Sequence, residues 1–475
     1  MGQLPIANGF YESKSLPISN QQCVNWYPSI VEAPGLSDRV LFGIPGINLL
    51  TSTGLVQENN RGGWKKNGIP YFVNGGTLYR LDRVINEGEE IFSTIALGLI
   101  EGENRVSMAD NGLQLMILVP GGKGYIYNED EGTPFQEIVD PDFTANGAPQ
   151  YVQYIDGYFA VTTDSKKWIV SALNNGMAWD ALDFSSAESD PDVIVAPVVI
   201  SNQIYITGSV TAEGYQNIGG VGFPFQRNNV FLDKGCFAPF SLVTTNNTFY
   251  MVGGGKDESP AVWVFTGNNF DKVSTDAIDS ILSTYTDIQL NDTYGWSYAQ
   301  DGAYFIGFTF PDRSFVYDIT TKQWHERKSQ IRDVATRWRI NALVTAYGRV
   351  IVGDAFSGRL GELHPKFYQE YGIDIVRIVS TMPFAQNSKP VLIPKIELTV
   401  ESGVGNEDVE DPQISMSISK DGKKWNYERN RSIGKIGKTN QKLIWRKNGW
   451  CSRFAVLLFR LSDPVKPVII KLEAE

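Results

Sequence analysis

The residue types that most often carry catalysis or bind metal are scarce in this chain of 475 residues. It has only two histidines, His325 and His364, and three widely separated cysteines, Cys23, Cys236 and Cys451. Few residues are therefore available to form a histidine-based metal site, a redox motif or a Ser-His-Asp triad. The sequence predicts no catalytic residue, no bound metal and no cofactor. We expect both histidines to lie in loops, and Cys236 to be buried and unreactive.

The strongest charge signal is a basic run between Lys420 and Lys447. It contains ten Lys and Arg residues against two acids, a local charge of +8, so the remaining residues carry −19 and the whole chain −11. Such a run predicts either contact with an acidic neighbouring subunit or partner, or a plain solvated face. The candidate interface residues are Lys435, Lys438, Lys442, Arg446 and Lys447.

Contact between this run and DNA is the alternative interpretation. Trp425, Tyr427 and Trp445 are interleaved with the basic residues, as in a groove that binds single strands. The acidic remainder argues against wrapping of nucleic acid, because phosphates bind to Lys and Arg surfaces. An acidic lumen would instead suit a conduit, since like charge repels phosphate and lets DNA slide without sticking.

Two further patterns suggest sites but are better explained as loops. SISKDGKKW, at residues 417–425, fits the loose Asp-box of sialidase-type propellers. A single copy outside the repeats favours a plain Asp-Gly hairpin. The acidic clusters Glu87–Glu90, Glu129–Glu131 and Glu407–Asp411 lack the spacing of a calcium loop, so we expect surface loops there.

A two-strand unit recurs along most of the chain. In the stretch from Asp190 to Gly254, apolar runs flank short polar turns at Ser201-Asn202 and Asn246-Asn247, as in β-hairpins. Asn-Gly and Asp-Gly suit type I′ turns, since both central residues need a positive φ. A second strand pair follows most hairpins, giving about four short strands per unit, which is typical of a propeller blade. Turn residues recur about every 45 residues, with one interval of 55, at Gly68, Gly112, Gly157, Asn202, Asn247, Gly302 and Gly348.

The sequence therefore predicts an all-β protein with three parts. Residues 1–59 form an extended, Pro- and Gly-rich arm, which we expect to complete the last blade. Residues 60–370 form one closed propeller, with seven blades favoured and six as the alternative. A short helix within 274–286 accounts for the long interval, because Ile278, Ile281 and Leu282 follow a helical period. Residues 371–475 form a separate C-terminal β-sandwich.

The order and spacing of several phrases resemble the tail hub, or nozzle, proteins of short-tailed bacteriophages. These proteins are also called packaged-DNA stabilisation proteins or tail accessory factors. The resemblance covers nearly the whole chain. It rests on CVNWYP with LFGIPGI, WIVSALNNGMAWDALDFSSAESDPDVIVA, KGCFAPFS, STDAIDSILSTY, SISKDGKKW, SIGKIGKTNQKLIWRKNGW and RLSDPVKP.

The resemblance implies a structural virion protein without enzymatic activity. Such a protein forms a homohexameric ring that extends the channel of the portal and its adaptor, retains the packaged genome and conducts it during ejection. Implied partners are the adaptor, a tail needle or plug, a tailspike or fibre, and double-stranded DNA passing through without sequence-specific binding. Synthesis in the host cytoplasm without membrane insertion is also implied, since no signal peptide or membrane span is visible.

A glycan-binding or glycan-cleaving propeller of a phage tail is the alternative function. Propellers display aromatic residues on loops, and this chain has 11 Trp and 21 Tyr. Cleavage would need two carboxyl groups about 5–10 Å apart in a cleft. The sequence cannot locate such a pair, and no nucleophile motif supports one.

Overall fold

A computed structural model describes residues 2–186, 192–220, 222–245, 247–385 and 390–475. The fold is 56% strand and 4% helix, which confirms the all-β prediction. Of the predicted turn at Asn246-Asn247, Asn246 lies outside the described residues.

The N-terminal segment consists of seven strands, most of which join sheets of the propeller or the sandwich. Pro and Gly keep most of these strands short. They are β1 (Gly2–Leu4), β2 (Tyr11–Glu12), β3 (Asn20–Gln21), β4 (Cys23–Val24), β5 (Trp26–Ile30), β6 (Arg39–Gly43) and β7 (Gly46–Val56). Of these, β2 and β3 pair with each other, and the other five join sheets of the propeller or the sandwich.

Four antiparallel sheets follow, each with its four strands paired in chain order. Sheet 1 contains β8 (Asn60–Lys66), β9 (Ile69–Asn74), β10 (Thr77–Asn86) and β11 (Glu89–Leu99). Sheet 2 contains β12 (Ser107–Asp110), β13 (Leu115–Leu118), β14 (Gly124–Tyr127) and β15 (Phe135–Glu137). Sheet 3 contains β16 (Pro149–Ile155), β17 (Tyr158–Thr163), β18 (Lys167–Ala172) and β19 (Asn175–Ser186). Sheet 4 contains β20 (Ile194–Ile200), β21 (Gln203–Gly208), β22 (Ala212–Asn217) and β23 (Phe225–Leu232).

Three more sheets continue this pattern. Sheet 5 contains β24 (Gly235–Cys236), β25 (Val243–Thr245), β26 (Thr248–Gly254), β27 (Ala261–Phe265) and β28 (Phe270–Lys272), with β24 and β25 both paired to β26. Sheet 6 contains β29 (Tyr294–Gln300), β30 (Ala303–Thr309), β31 (Ser314–Asp318) and β32 (Gln323–Ile331), whose end pairs with β33 (Val334–Arg337). Sheet 7 contains β34 (Ile340–Ala346), β35 (Arg349–Asp354) and β36 (Ser357–His364).

The fourth strand of sheet 7 comes from the other end of the propeller sequence. β7 pairs antiparallel with β36, from Gly46 opposite His364 to Val56 opposite Ser357. One strand of each sheet contacts one strand of the next, in the order β8, β12, β16, β20, β25, β29 and β34, and β34 contacts β8 again. The sheets therefore form a closed circle, the arrangement of a propeller.

Apolar side chains fill the space between neighbouring sheets all the way round the circle. Tyr71 of sheet 1 packs on Tyr127 of sheet 2, with ring centroids 5.7 Å apart. Trp168 of sheet 3 packs edge-on against Tyr215 of sheet 4 at 5.2 Å. Each sheet covers both of its faces with its neighbours, so a single sheet would leave its apolar faces exposed to water.

Turn chemistry explains why the strands reverse where they do. Asn67 and Gly68 both have positive φ, 51° and 81°, as a type I′ turn requires. Ser201 and Asn202 adopt the same conformation without glycine, at 48° and 59°. Gly112 differs, because Asn111 accepts backbone hydrogen bonds from Leu113 and Gln114 in a longer turn.

The helical insertion lies between sheets 5 and 6, as predicted. It begins at Thr275, whose side chain caps α1 (Asp276–Leu282), and Ile278 and Leu282 are buried. A second helix that the sequence analysis did not predict, α2 (Asp287–Asn291), starts with a capping box at Thr286. Short 3-10 turns lie at Pro141–Phe143 and Pro239–Ser241.

The C-terminal part is a two-layer sandwich. One layer has the strand order β44-β41-β47-β6-β5 with β1 beside β47, and the other has β39-β46-β42-β43. β37 and β38 extend sheet 7, and β40 pairs with β45. The strands are β37 (Gln369–Glu370), β38 (Ile373–Asp374), β39 (Arg377–Ser380), β40 (Val391–Leu392), β41 (Lys395–Val400), β42 (Gln413–Ser419), β43 (Arg429–Ser432), β44 (Leu443–Arg446), β45 (Trp450–Cys451), β46 (Val456–Leu461) and β47 (Val468–Ala474).

The sandwich is not a separate unit built from residues 371–475 alone. β1, β5 and β6 complete one of its layers, and β4 joins the other layer to the propeller. Val24 of β4 pairs with Glu326 of β32 on one side and with Ile378 of β39 on the other. Sheet 6 and the sandwich layer therefore share one continuous hydrogen-bonded sheet, which fixes their relative orientation.

Closure by β7 can be tested with a matched pair of substitutions in that strand. Ile47 is 2% exposed in the core between sheets 6 and 7, whereas Leu49 is 48% exposed. We expect Ile47→Ala to lower the free energy of unfolding by about 2–5 kcal/mol, because it leaves a cavity. Leu49→Ala should lower the free energy of unfolding by less than about 1 kcal/mol, because this side chain is half exposed. Urea unfolding measures both changes, and equal losses would contradict a closing role for the buried face of β7.

Candidate functional site: the basic edge and the propeller axis

The basic run folds into one edge of the sandwich, where the last strands of both layers lie side by side. β43 ends one layer and β44 ends the other. Arg431 Nε donates a hydrogen bond to Ile444 O at 2.8 Å, and Trp445 Nε1 donates one to Arg429 O at 2.7 Å. These bonds hold the two edges together. We call the exposed side chains on and beside them the basic edge: Lys435, Lys438, Lys442, Arg446 and Lys447.

Most of the positive charge of the basic edge is not neutralised by its own chain. Lys435 Nζ lies 2.6 Å from Glu410 Oε1. Among the described residues, no carboxylate forms an ion pair with the other four side chains. Large apolar side chains in the same region are also exposed: Tyr427 (77%), Ile436 (76%) and Trp450 (61%). Unpaired charge beside exposed aromatic surface favours a docking surface over a solvated face.

The interleaved aromatic residues do not form a platform for stacking bases. Trp445 is fully buried and packs edge-on against Phe459, with ring centroids 5.7 Å apart. The alternation of β44 points Trp445 inward and Arg446 outward. Trp425 is half-buried and Tyr427 is exposed. Because Trp445 is buried, the three aromatic residues cannot form the groove that the sequence pattern suggests.

The Asp-box-like phrase folds as a turn. The Asp421 carboxylate accepts backbone hydrogen bonds from Lys424 and Lys423, both at 2.8 Å, and these bonds lower the pKa of Asp421. Asn20 Nδ2 donates to Gly422 O at 2.8 Å, so the turn is held against the N-terminal segment. The contacts are those of a structural Asp-Gly turn.

The acidic clusters have local partners. Glu129 accepts hydrogen bonds from Tyr71 at 3.0 Å and from Arg80 at 3.3 Å, while Glu410 pairs with Lys435. Within the described ranges, no three His, Cys, Asp or Glu residues are grouped so that they could hold a metal ion. The same ranges contain no helix with the length and apolarity needed to cross a membrane.

The prediction that both histidines lie in loops is wrong. His325 lies within β32 and is fully buried, and His364 is the last residue of β36. β32 continues through the polar phrase after Trp324, so its alternation turns His325 and Arg327 to the same inner face. Cys236 is buried as predicted, and burial raises the pKa of its thiol to about 12.

The guanidinium of Arg327 lies in a cage of aromatic rings that the sequence analysis did not identify. It is buried 4.7–5.2 Å from the ring centroids of Trp296, Tyr298, Phe305 and Trp338. Cation–π attraction therefore replaces a carboxylate partner. Period-two alternation in the sequence places His325 and Arg327 on the same face of a strand. It does not indicate the aromatic rings around Arg327, because these come from other strands or loops.

Arg327 Nε donates a hydrogen bond to His325 Nε2 at 3.4 Å. Burial, and then the charge of Arg327, hold the pKa of His325 well below its usual range. Its ring is therefore neutral in the folded protein at physiological pH.

Side chains from several sheets meet at the centre of the propeller, beside a small cavity. The Arg105 guanidinium stacks 3.8 Å from the centroid of the Tyr294 ring and lies 5.6 Å from that of Phe240. It also donates to the backbone and side-chain oxygens of Asn341 at 2.7 and 2.6 Å. Tyr151 packs edge-on against Phe240 at 5.2 Å, beside a cavity of about 190 Å³. The axis of one propeller therefore offers no path for a DNA duplex.

Comparison with known proteins gives two family matches that together cover nearly the whole chain. A family model described as bacteriophage P22 Gp10, beta-propeller, matches residues 2–368, and one described as bacteriophage P22 Gp10, beta-sandwich, matches residues 377–475. These descriptions agree with the predicted propeller and C-terminal sandwich. No match was found among curated proteins.

Two solved structures share limited similarity with the chain. The computationally designed Ika8 protein is 12% identical, with 66% of this chain and 99% of that chain covered and a TM-score of 0.36. PorZ, a surface component of the type-IX secretion system of Porphyromonas gingivalis, is 10% identical, with 81% and 46% covered and a TM-score of 0.38.

The buried histidine predicts a pH dependence of stability. Below a pH of about 6.5 the unfolded chain gains a proton on this residue that the folded chain does not accept. His325 should therefore lower the free energy of unfolding by up to about 1.4 kcal/mol for each pH unit below that value. We expect His325→Gln to remove this contribution, while His364→Gln should retain it. Urea unfolding from about pH 7.5 to about pH 5.5 measures the slopes, and identical slopes for the parent and His325→Gln would refute the prediction.

Proposed function

The chain belongs to the bacteriophage P22 Gp10 family and is thus a structural component of a phage tail, and we propose that it is the hub, or nozzle, of that tail. In this proposal, copies of the chain form a homohexameric ring that extends the channel of the portal and adaptor. The ring retains the packaged DNA and conducts it during ejection. The observation that carries the proposal is that the family match extends over both domains in their order.

The contacts across the propeller centre support a ring built from several copies. Because Arg105, Tyr294 and Phe240 meet at this centre, DNA cannot pass through a single propeller. A conduit made from this chain must therefore be enclosed between copies, with the outsides of propellers or sandwiches as its wall. This is the arrangement that a hub ring requires.

The charge distribution supports the same proposal. Outside the basic run the chain carries −19, so a lumen lined by that surface would repel phosphate and let DNA slide. The basic edge would adhere to DNA if it faced the lumen. We therefore place it in contact with protein, either a neighbouring copy or the adaptor.

The remaining partners are proposed on the family resemblance alone. They are the portal adaptor, a tail needle or plug, and a tailspike or fibre, with DNA bound without sequence specificity. We also propose that the chain is made in the host cytoplasm and has no enzymatic turnover, in agreement with the structural role of its family. Neither the glycan-binding nor the glycan-cleaving alternative is favoured by a specific observation.

DNA retention tests the proposed function directly. Particles of the phage that encodes this chain can be filled with DNA in its absence and then mixed with the purified full chain. We expect the protein to bind at the portal vertex and to raise the fraction of DNA that stays protected from nuclease. Binding elsewhere on the particle, or no gain in protected DNA, would overturn the hub assignment.

Charge reversal tests the basic edge as a docking surface. Lys438, Lys442, Arg446 and Lys447 are better targets than Lys435, whose reversal would also break its ion pair with Glu410. We expect changing all four to Glu to weaken docking onto the tail-less particle by about tenfold or more at low salt, and less at high salt.

The matched control reverses four exposed lysines outside the sandwich, Lys166, Lys256, Lys322 and Lys366. It applies the same change in net charge, so it should dock like the parent. Unchanged circular dichroism of both variants would exclude misfolding. Equal docking of the basic-edge variant and the parent at low salt would show that the edge is only a solvated face.

A further inference from the structure

Sheet 1 carries a hairpin that extends beyond the rest of its sheet. β9 pairs with β10 only from Thr77 to Arg80, whereas β11 follows β10 as far as Asn86. We call residues 81–94 the hairpin arm. The hairpin arm continues for about 20 Å beyond the last residue of β10 that pairs with β9. The turn at its tip, Glu87-Gly88, has both φ angles positive, at 51° and 90°.

One face of the hairpin arm is held firmly against sheet 7. Tyr347 Oη donates a hydrogen bond to Leu81 O at 2.8 Å, and the Arg83 guanidinium lies 5.0 Å from the centroid of the Tyr347 ring. Nearer the tip, Arg349 forms an ion pair with Glu90. These contacts fix the direction of the arm before any partner binds, which lowers the entropy lost on docking.

The opposite face carries an exposed apolar pair near its tip, whereas Asp82, farther from the tip on the same face, forms an ion pair with Arg80. Val84 and Ile91 are a cross-strand pair, 55% and 48% exposed, and Ile95 farther along the same face is 40% exposed. Glu89 shares this face because it pairs with Asn86, two positions beyond Val84. Glu87 at the turn is also exposed, and neither glutamate forms an ion pair within the described chain.

We propose that this outward face of the hairpin arm docks onto the basic edge of the next copy of the chain. Glu87 and Glu89 would face the unpaired charges of Lys438 and Lys442. The apolar pair Val84–Ile91 would cover exposed apolar surface of the basic edge region, such as Ile436. The inference rests on the proposed ring and identifies the two surfaces that join its subunits.

The hairpin arm and the basic edge of the same chain are complementary in charge, which favours a second copy of the chain as the docking partner. The arm is acidic and apolar, while the basic edge lies in the run that carries +8 on an otherwise acidic chain. The two surfaces lie on different domains, one on the propeller and the other on the sandwich. A contact between different surfaces of identical copies is heterologous, and it closes into a ring when the rotation permits.

Cross-linking in assembled tails tests the contact. The full chain carrying Glu89→Cys and Lys442→Cys would be incorporated into particles and treated with a short bis-maleimide. The native thiols of Cys23, Cys236 and Cys451 are buried, so the introduced thiols should react first. We expect a ladder of covalent multimers on denaturing gels, and no ladder from either single variant.

The control pairs Lys442→Cys with Glu103→Cys, an exposed position outside the arm. It should give less than about a tenth of the multimers of the test pair, because that pair is not predicted to meet. Two results would overturn the proposal. One is equal ladders from both pairs, and the other is cross-linking of the Glu89→Cys variant to another tail protein instead of a second copy.

Charge exchange gives an independent readout. Glu87→Lys with Glu89→Lys, and separately Lys438→Glu with Lys442→Glu, should each reduce ring incorporation about tenfold at low salt. All four substitutions in one chain should restore incorporation to within about threefold of the parent, since every contact regains opposite charges. Failure of this restoration would contradict the pairing.

These outcomes separate the inference from the proposed function. If the variants enter the portal vertex and protect DNA like the parent, the hub assignment stands and the arm-to-edge contact is wrong. If the parent chain itself is absent from the portal vertex, the hub assignment fails, and the contact inferred from it falls with it.

Discussion

The pairing of β7 with β36 is the contact on which the rest of the structure depends. Every sheet of the propeller needs a neighbour on each face, and an open circle would expose the apolar faces of its first and last sheets. By supplying the outer strand of sheet 7, residues 46–56 tie the start of the propeller sequence to its end. Closure of the circle is therefore a long-range event, and it buries side chains such as Ile47 that no local hairpin could cover.

The same N-terminal segment also joins the propeller to the sandwich. β4 lies between β32 and β39, so that a hydrogen-bonded sheet continues from one domain into the other. Buried charges lie near this junction: Arg339 forms two hydrogen bonds to Asp354, at 3.0 and 3.1 Å, and Arg327 is enclosed by aromatic rings. Removing one member of such a buried pair is strongly destabilising, which disfavours alternative arrangements. In the proposed hub, such a junction would hold the shape of the subunit while DNA passes.

The charges of the chain are unevenly distributed. Outside the basic run the chain carries −19, which in the proposed hub would keep DNA from adhering to the channel wall. The positive charge is concentrated at the basic edge, where two sandwich layers end and where aromatic and aliphatic side chains are exposed. The hairpin arm has the opposite character and a braced direction. If the two surfaces meet as proposed, their placement on different domains joins identical subunits head to tail instead of in a closed pair.

The sequence alone determined the features that depend on interactions between near neighbours in the chain. Period-two alternation and positive-φ turn residues such as Asn67-Gly68 specify hairpins locally, and Thr275 caps a helix through bonds within a few residues. These local patterns predict the all-β class, the repeat and the helical insertion. The basic run is visible directly from the count of Lys and Arg residues.

Only the tertiary structure decided which distant segments meet. No local pattern states that β7 pairs with β36, that β1, β5 and β6 complete the sandwich, or that Arg105 meets Tyr294 at the centre of the propeller. His325 is a polar residue that directly follows Trp324. It is nevertheless buried, because strands that are distant in the sequence enclose it. Such pairings are selected by burial and hydrogen bonding across hundreds of residues, so their energies are not properties of any short stretch of sequence.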